Sequence, residues 1–178
     1  MQTKGTIKIV GLSTYSATVE QEKRFKMNMS DVRNALVNKN IKIYDAVKIE
    51  QVWFGKSSQY TARIRKTENI FKSPQDPEYL TYEHTVKHHI GARSDYEVTT
   101  DLTGQDYDLL KKLYKSKPVQ NKIRLYVNDI DGVSEDYIIT LDMVDGEEGL
   151  CYVEFELKEN KVGVITQFKK PDWVIVAA

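Results

Sequence analysis

Charged residues at alternate positions recur along this chain, and they form the pattern with the clearest chemical meaning. Glu20, Glu22 and Arg24 are separated from one another by single residues. Arg63 and Arg65 flank one isoleucine. Residues two apart share one face of a β-strand, whereas the residue between them points to the opposite face. If these segments are strands, each set places its charges on a single face.

The same spacing continues toward the C-terminus, and acidic and basic residues keep to separate segments. The pairs are Thr85 and Lys87, Asp95 and Glu97, Lys122 and Arg124, Thr140 and Asp142, and Glu154 and Glu156. One explanation is that these faces are the solvated outside of an antiparallel sheet, which is the ordinary cause of such alternation. The separation by sign instead favours a lined cavity, because a solvated face usually mixes its polar residues.

A lining of this kind has a defined chemistry. Carboxylates two residues apart can bind a hard divalent cation through oxygen, and the guanidinium fork of arginine matches two phosphate oxygens at once. A metal ion and a phosphate group would then bridge the acidic and basic sets. The residues alone therefore indicate a phosphate-bearing ligand that is bound together with a divalent metal.

The elements that must position these residues are mostly strands. Alternating polar and apolar residues predict strands over 6–10, 18–26, 47–54, 60–66, 81–87, 95–100, 122–127, 137–143, 152–157 and 162–168. Two segments instead have helical spacing. Ser30 suits the N-cap of a helix that ends at Val37, and Thr103 and Asp106 suit the first turn of a helix over 103–115. The sequence thus predicts a β-rich chain with two short helices.

Length and composition set the remaining bounds. The 178 residues suffice for one core, and we predict a single domain over 1–178, in which 1–17 can add an N-terminal extension strand. The 26 basic and 26 acidic residues cancel, so the net charge gives no steering toward nucleic acid or a membrane. No apolar run approaches the roughly 20 residues that cross a bilayer, and no signal-peptide core follows Met1. We expect a cytoplasmic protein with no membrane partner.

Several residues resemble functional groups but fit an ordinary role better. The only cysteine, Cys151, lies in an apolar run and is expected to be a small buried side chain. The histidines at 84, 88 and 89 suggest a metal site, yet two of them would face away from Lys87, and the carboxylates are better metal ligands here. Trp53, Phe54 and Tyr126 are expected in the core, although one near a cavity mouth could stack on a base.

With these motifs in order, the chain resembles the CYTH family, the triphosphate tunnel metalloenzymes. The segment 20–25, Glu-Gln-Glu-Lys-Arg-Phe, stands where the family has an opening Glu-x-Glu-x-Lys signature. The segment 63–65, Arg-Ile-Arg, looks like the family's Arg-x-Arg strand, and 85–87 looks like its inward lysine strand. Acidic and basic segments that resemble its later strands follow at 95–98, 122–124, 140–142 and 153–156. The resemblance extends from about residue 18 to residue 157 and has a helix between the acidic and basic strands.

The resemblance implies a fold and a set of residue roles. The fold would be mainly β (α+β), an eight-stranded antiparallel β tunnel or barrel with a few flanking helices, which binds triphosphates with Mg²⁺ or Mn²⁺. The implied metal ligands are Glu20, Glu22, Glu154 and Glu156. The implied phosphate-binding residues are Arg63, Arg65, Lys87, Lys122 and Arg124. The implied catalytic residues are Arg24, Glu97 and Asp142.

Arg24 departs from the family pattern, because the signature has a lysine there. A buried lysine can shift its pKa and help to activate water, whereas arginine stays protonated. The leading hypothesis is metal-dependent binding and hydrolysis of inorganic triphosphate or of a nucleoside or organic triphosphate. The alternatives are a non-catalytic protein that binds a nucleotide or a 5′-triphosphate RNA end, cyclisation of a nucleotide as by an adenylate cyclase, and an interaction domain with a solvated charged sheet.

Overall fold

The structure is a computed structural model that describes residues 5–7, 15–91, 94–130, 132–158 and 168–178. Most of the predicted strand at 162–168 lies outside these residues. The strands are β1 Gly5–Ile7, β2 Tyr15–Asn28, β3 Ile41–Lys56, β4 Tyr60–Asn69, β5 Leu80–Gly91, β6 Ser94–Asp101, β7 Val119–Asp129, β8 Tyr137–Val144 and β9 Leu150–Leu157. The helices are α1 Met29–Val37, α2 Gly104–Leu113 and a 3-10 turn at Val133–Glu135. None of the described helices is long and apolar enough to cross a bilayer.

The strands form one sheet in the order β1-β2-β6-β5-β4-β3-β7-β8-β9. β2 also pairs with β9, so the order of the eight strands from β2 to β9 closes on itself. The registers of β2 with β9, β4 with β5, β5 with β6, β7 with β8 and β8 with β9 are all antiparallel. The predicted fold class, a mainly β chain with eight antiparallel strands and a few helices, is confirmed. Strand β1 adds a short edge pairing with Tyr15 to Ala17 of β2.

Contacts divide the chain into two compact units. Unit 1 comprises residues 1–20 and 48–121, and unit 2 comprises residues 21–47 and 122–178. In unit 1 the apolar side chains of Val52 and Ile64 pack with Tyr107 of α2. In unit 2 a larger apolar cluster includes Met27 and Phe155, together with α1 and residues near the C-terminus. In both units the charged residues at alternate positions belong to the strand faces opposite these clusters, because neighbours along a strand point to opposite sides.

The first residue of each helix is determined differently. Thr103 caps α2 as predicted, since its side-chain oxygen accepts a hydrogen bond from the Asp106 backbone N–H. The predicted N-cap at Ser30 is wrong, because α1 begins at Met29 and Asn28 is its N-cap. β2 remains paired with β9 as far as Asn28, so the chain turns into the helix directly from the end of the strand. Strand β3 also begins six residues earlier than predicted, at Ile41 rather than at 47.

Candidate functional site

Asp142 is the centre of the charged cluster in unit 2. It lies on β8 directly opposite Arg124 of β7, and its side chain has 0% solvent exposure. Arg124 donates two hydrogen bonds to it, from Nε and Nη2, each 2.7 Å long. The ammonium group of Lys122 donates a third hydrogen bond to the same carboxylate. Three of the predicted site residues are therefore brought together, and Asp142 fixes the two basic ones.

The electrostatics of this cluster favour the charged forms of Asp142 and Arg124. Burial alone would raise the pKa of Asp142, but the hydrogen bonds and charges of Arg124 and Lys122 lower it to about 2. Burial alone would also lower the pKa of Arg124, yet Asp142 and Glu154 raise it above its ordinary value. A carboxylate with fixed donors on several sides has little freedom to move. Its geometry suits positioning of the basic side chains.

Glu154 extends the cluster to Arg24. Its carboxylate accepts a 2.7 Å hydrogen bond from Nη2 of Arg124 and lies 3.4 Å from Nε of Arg24. The guanidinium of Arg24 also lies 4.2 Å from the ring centroid of Tyr152, which is a cation–π contact. Arg24 is nevertheless 48% exposed, so a ligand can reach its guanidinium. The structure thus places Arg24 beside Glu154, one of the residues predicted to bind metal.

Three of the glutamates that are predicted to bind metal lie close together where strands β2 and β9 pair. Glu22 is directly opposite Glu156, and Glu154 is two residues away on the same face of β9. Like charges directly opposite each other on paired strands repel. Within the described ranges, no group of three or more His, Cys, Asp or Glu side chains is arranged so that it could hold a metal ion. Carboxylate oxygens are nevertheless the ligand type that a hard divalent ion such as Mg²⁺ or Mn²⁺ prefers.

The cluster in unit 1 is centred on Lys87. Its ammonium group pairs with Glu20 and lies 3.1 Å from Glu97, which is directly opposite on β6. Burial alone would raise the pKa of Glu97, but the charges of Lys87 and Arg63 and a hydrogen bond from Thr99 lower it. The predicted metal carboxylate Glu20 and the predicted catalytic residue Glu97 therefore share one cation.

The two arginines of β4 have partners that the sequence pattern did not identify. Arg65 lies 3.3 Å from Glu83 and Arg63 lies 4.0 Å from the same carboxylate. Gln51 of β3 accepts hydrogen bonds from Arg65, and the ring of Trp53 lies 5.3 Å from the guanidinium carbon of Arg63. Glu83 alternates with Thr85 and Lys87 on β5, and this spacing could have predicted that Glu83 lies on the charged face. Gln51 alternates in the same way with Trp53, but a lone glutamine carries no charge pattern.

The residues expected to have ordinary roles agree with that expectation in part. Cys151 is fully buried, and burial, with a smaller contribution from Asp142, raises the pKa of its thiol to about 12. His84 stacks on Phe54, and burial lowers its pKa. His89 lies 2.6 Å from Asp95, so this histidine contacts a predicted acidic residue. Trp53, Phe54 and Tyr126 are half-buried rather than fully buried.

Comparison with known proteins shows the fold. No protein-family model and no curated protein matches the chain. The structure is similar to that of the PH1012 protein from Pyrococcus horikoshii OT3, with a TM-score of 0.57 and 18% identity over 80% of each chain. It is also similar to a conserved hypothetical protein from Pyrococcus furiosus, with a TM-score of 0.57 and 19% identity over 79% of this chain and 80% of the other. These two likenesses show a shared fold.

A more distant match is HpAC1 from Hippeastrum, a candidate adenylyl cyclase described as having a dominant triphosphatase activity. Its TM-score is 0.47 and its identity is 12%, over 79% of this chain and 80% of that chain. A likeness at this distance gives no information about the activity of the present chain.

Proposed function

We propose that this chain binds a triphosphate compound together with Mg²⁺ or Mn²⁺ and hydrolyses it, in the manner of the CYTH family that its motifs resemble. The substrate class comprises inorganic triphosphate and nucleoside or organic triphosphates. The observation that carries the proposal is the placement of Glu154 between Arg24 and Arg124, beside the opposed carboxylates Glu22 and Glu156. Oxygen ligands for a divalent ion and guanidinium donors for phosphate thus lie next to each other within one unit.

The roles follow from the chemistry of the donors. A divalent ion bound by phosphate oxygens together with carboxylates from the set Glu22, Glu154 and Glu156 would supply positive charge to polarise a phosphoryl group. Arginine forks bind two phosphate oxygens at once and stabilise the negative charge that develops as the bond breaks. Arg24 and Arg124 have this role in unit 2, with Lys122 as an additional point charge. In unit 1 the corresponding groups are Arg63, Arg65 and Lys87, with Glu20 and Glu97 as their acidic partners.

The direct test is release of phosphate from a panel of triphosphates, first with Mg²⁺ and then with Mn²⁺. We expect turnover by the wild type and its loss in Glu22→Ala, because that change removes one of the opposed carboxylates. Glu148→Ala removes an exposed carboxylate from the turn before β9 and is the matched control, expected to keep full activity. Equal rates for the wild type and Glu22→Ala would refute the proposal.

A second candidate function is binding of a nucleotide or a 5′-triphosphate RNA end without turnover. The observation that favours it is Arg24, whose guanidinium contacts Glu154 and Tyr152 at the position where the CYTH signature has a lysine. Arginine as a residue type is a poor proton acceptor, whereas a buried lysine can serve as one. Such a binder would show metal-dependent affinity for triphosphates and no phosphate release. Cyclisation of a nucleotide would instead release pyrophosphate from ATP, which the phosphate assay detects only after a pyrophosphatase is added.

A further inference from the structure

Two uncharged side chains on β3 contact the two arginines of β4. Gln51 is only 2% exposed, and its side-chain oxygen lies 3.4 Å from Nε and 3.3 Å from Nη2 of Arg65. Two residues further along the same face, the ring of Trp53 lies 5.3 Å from the guanidinium carbon of Arg63. Each arginine therefore has one neutral partner on the neighbouring strand in addition to the carboxylate of Glu83 that both approach.

The chemistry of these groups fixes the orientation of the Gln51 amide. A guanidinium has only hydrogen-bond donors, so the amide of Gln51 must present its carbonyl oxygen to Arg65. The NH₂ group then points away from the arginine, and it donates a hydrogen bond to the side-chain oxygen of Gln120. Gln120 thereby holds the amide in the one orientation that can accept from Arg65.

The neutrality of Gln51 matters because both arginines already lie near a carboxylate. In unit 1, Arg63 and Arg65 approach Glu83, and Lys87 pairs with Glu20 and Glu97. A carboxylate at position 51 would hold Arg65 at least as firmly, since hydrogen bonds between charged groups are stronger than neutral ones. It would also add a negative charge beside Arg65, and this charge would repel a polyanion. A glutamine orients the arginine without this penalty.

We infer that Gln51, held by Gln120, is a positioning residue that orients Arg65 toward phosphate without neutralising it, and that Trp53 does the same for Arg63. The inference rests on the proposed triphosphate ligand and adds residues that the charged motifs do not contain. The two partners explain why a buried glutamine and a half-buried tryptophan lie on β3 beside the charged face of the neighbouring strand β4.

The test is the affinity for inorganic triphosphate with Mg²⁺, measured by calorimetry, together with the melting temperature of the ligand-free protein. Gln51→Glu keeps the size and the acceptor but adds a charge, and Gln120 can turn its amide to donate to the new carboxylate. We expect the affinity to fall about tenfold or more while the ligand-free melting temperature is kept. Gln105→Glu adds the same charge at an exposed site on α2 and is the matched control, expected to bind like the wild type.

Two further variants make the result decisive. Gln51→Met keeps the volume but removes the acceptor, and we expect a severalfold loss of affinity even if Gln51→Glu fails to fold. Arg65→Ala should lose affinity whether or not Gln51 positions it. If Arg65→Ala binds weakly but both Gln51 variants bind like the control, the inference is wrong and the proposed function stands. If the wild type itself does not bind triphosphate, the proposed function fails first.

Discussion

At the scale of single residues, the charged side chains differ in how deeply they are buried. Asp142 is fully buried and accepts hydrogen bonds from both basic residues of β7, whereas Arg24 is half exposed and contacts Glu154 and Tyr152. A buried carboxylate with fixed partners stabilises the arrangement of its neighbours, and an exposed guanidinium is available to a ligand. Asp142 is therefore expected to affect stability and Arg24 to affect ligand binding.

The first prediction concerns the removal of the charge at position 142. Asp142→Asn would leave the buried cations Lys122 and Arg124 without their shared carboxylate, and breaking a buried pair in this way costs about 3–5 kcal/mol. We expect a decrease of that size in the free energy of unfolding, measured by urea denaturation at neutral pH. Asp145→Asn, in the exposed turn after β8, is the control and should change stability by less than about 0.5 kcal/mol. A small effect of Asp142→Asn would mean that the pairing contributes little.

The second prediction is the pH dependence that the same carboxylate causes. Its pKa is about 2 in the folded protein and 3.8 by the ordinary value, so the unfolded chain binds the proton more readily. The stabilisation is therefore fully present above pH 4 and is lost as the pH falls toward 2, by about 2 kcal/mol in total. The stability difference between the wild type and Asp142→Asn should shrink over this interval. A constant difference from pH 5 to pH 2 would contradict the lowered pKa.

The charged pairs could be predicted from the sequence because alternation in a strand is a local property. The pattern placed Arg124 and Asp142 each on a charged strand face, and the register then brought them opposite each other. Gln51 could not be predicted as a partner of Arg65, because that contact joins residues 14 positions apart and depends on how two strands are aligned. A single uncharged residue belongs to no charge pattern, so the sequence does not indicate which residue it contacts.

At the scale of elements, helix ends were predictable only where a side chain determines them. Thr103 both caps α2 and contacts Asp106, so the residue types at the two positions identify the start. The start of α1 is instead set by the end of the β2 pairing, where the Met29 backbone N–H donates to Gly149. Ser30 had the right residue type but lies inside the helix. A helix start that depends on pairing with a distant strand cannot be predicted from the neighbouring residues alone.

The third prediction tests this difference between the two helices. Thr103→Ala removes the side-chain oxygen that accepts from Asp106, and loss of such a cap costs about 1 kcal/mol. Ser30→Ala removes a hydroxyl that does not cap its helix, so we expect no loss of stability from it. The two free energies of unfolding, measured under the same conditions, give the comparison directly. An equal loss in both variants would show that Ser30 contributes to the start of α1 after all.

At the scale of the whole molecule, the balance of charge makes ligand binding a local matter. The chain carries 26 basic and 26 acidic residues, so its overall field does not attract a polyanion. Affinity for a triphosphate must come from short-range contacts such as those of Arg24 and Arg124. In both units the predicted phosphate-binding side chains are paired with carboxylates, among them Glu97, Asp142 and Glu154. Under the proposed function, we expect a divalent ion to be required, because it would offset the charge of carboxylates that otherwise repel the ligand.

The fourth prediction follows from this requirement. Inorganic triphosphate together with Mg²⁺ should raise the melting temperature, since a ligand that binds only the folded state stabilises it by about 2.7 kcal/mol at 100 times its dissociation constant. Either component alone should raise the melting temperature less. The carboxylates repel triphosphate that carries no Mg²⁺, and the basic groups repel the free metal ion. A thermal titration of each component, and then of both, measures the difference. Equal stabilisation by triphosphate with and without Mg²⁺ would show that the basic groups bind phosphate without a metal ion. The opposed carboxylates, Glu22 and Glu156, would then have a structural role and not a metal-binding one.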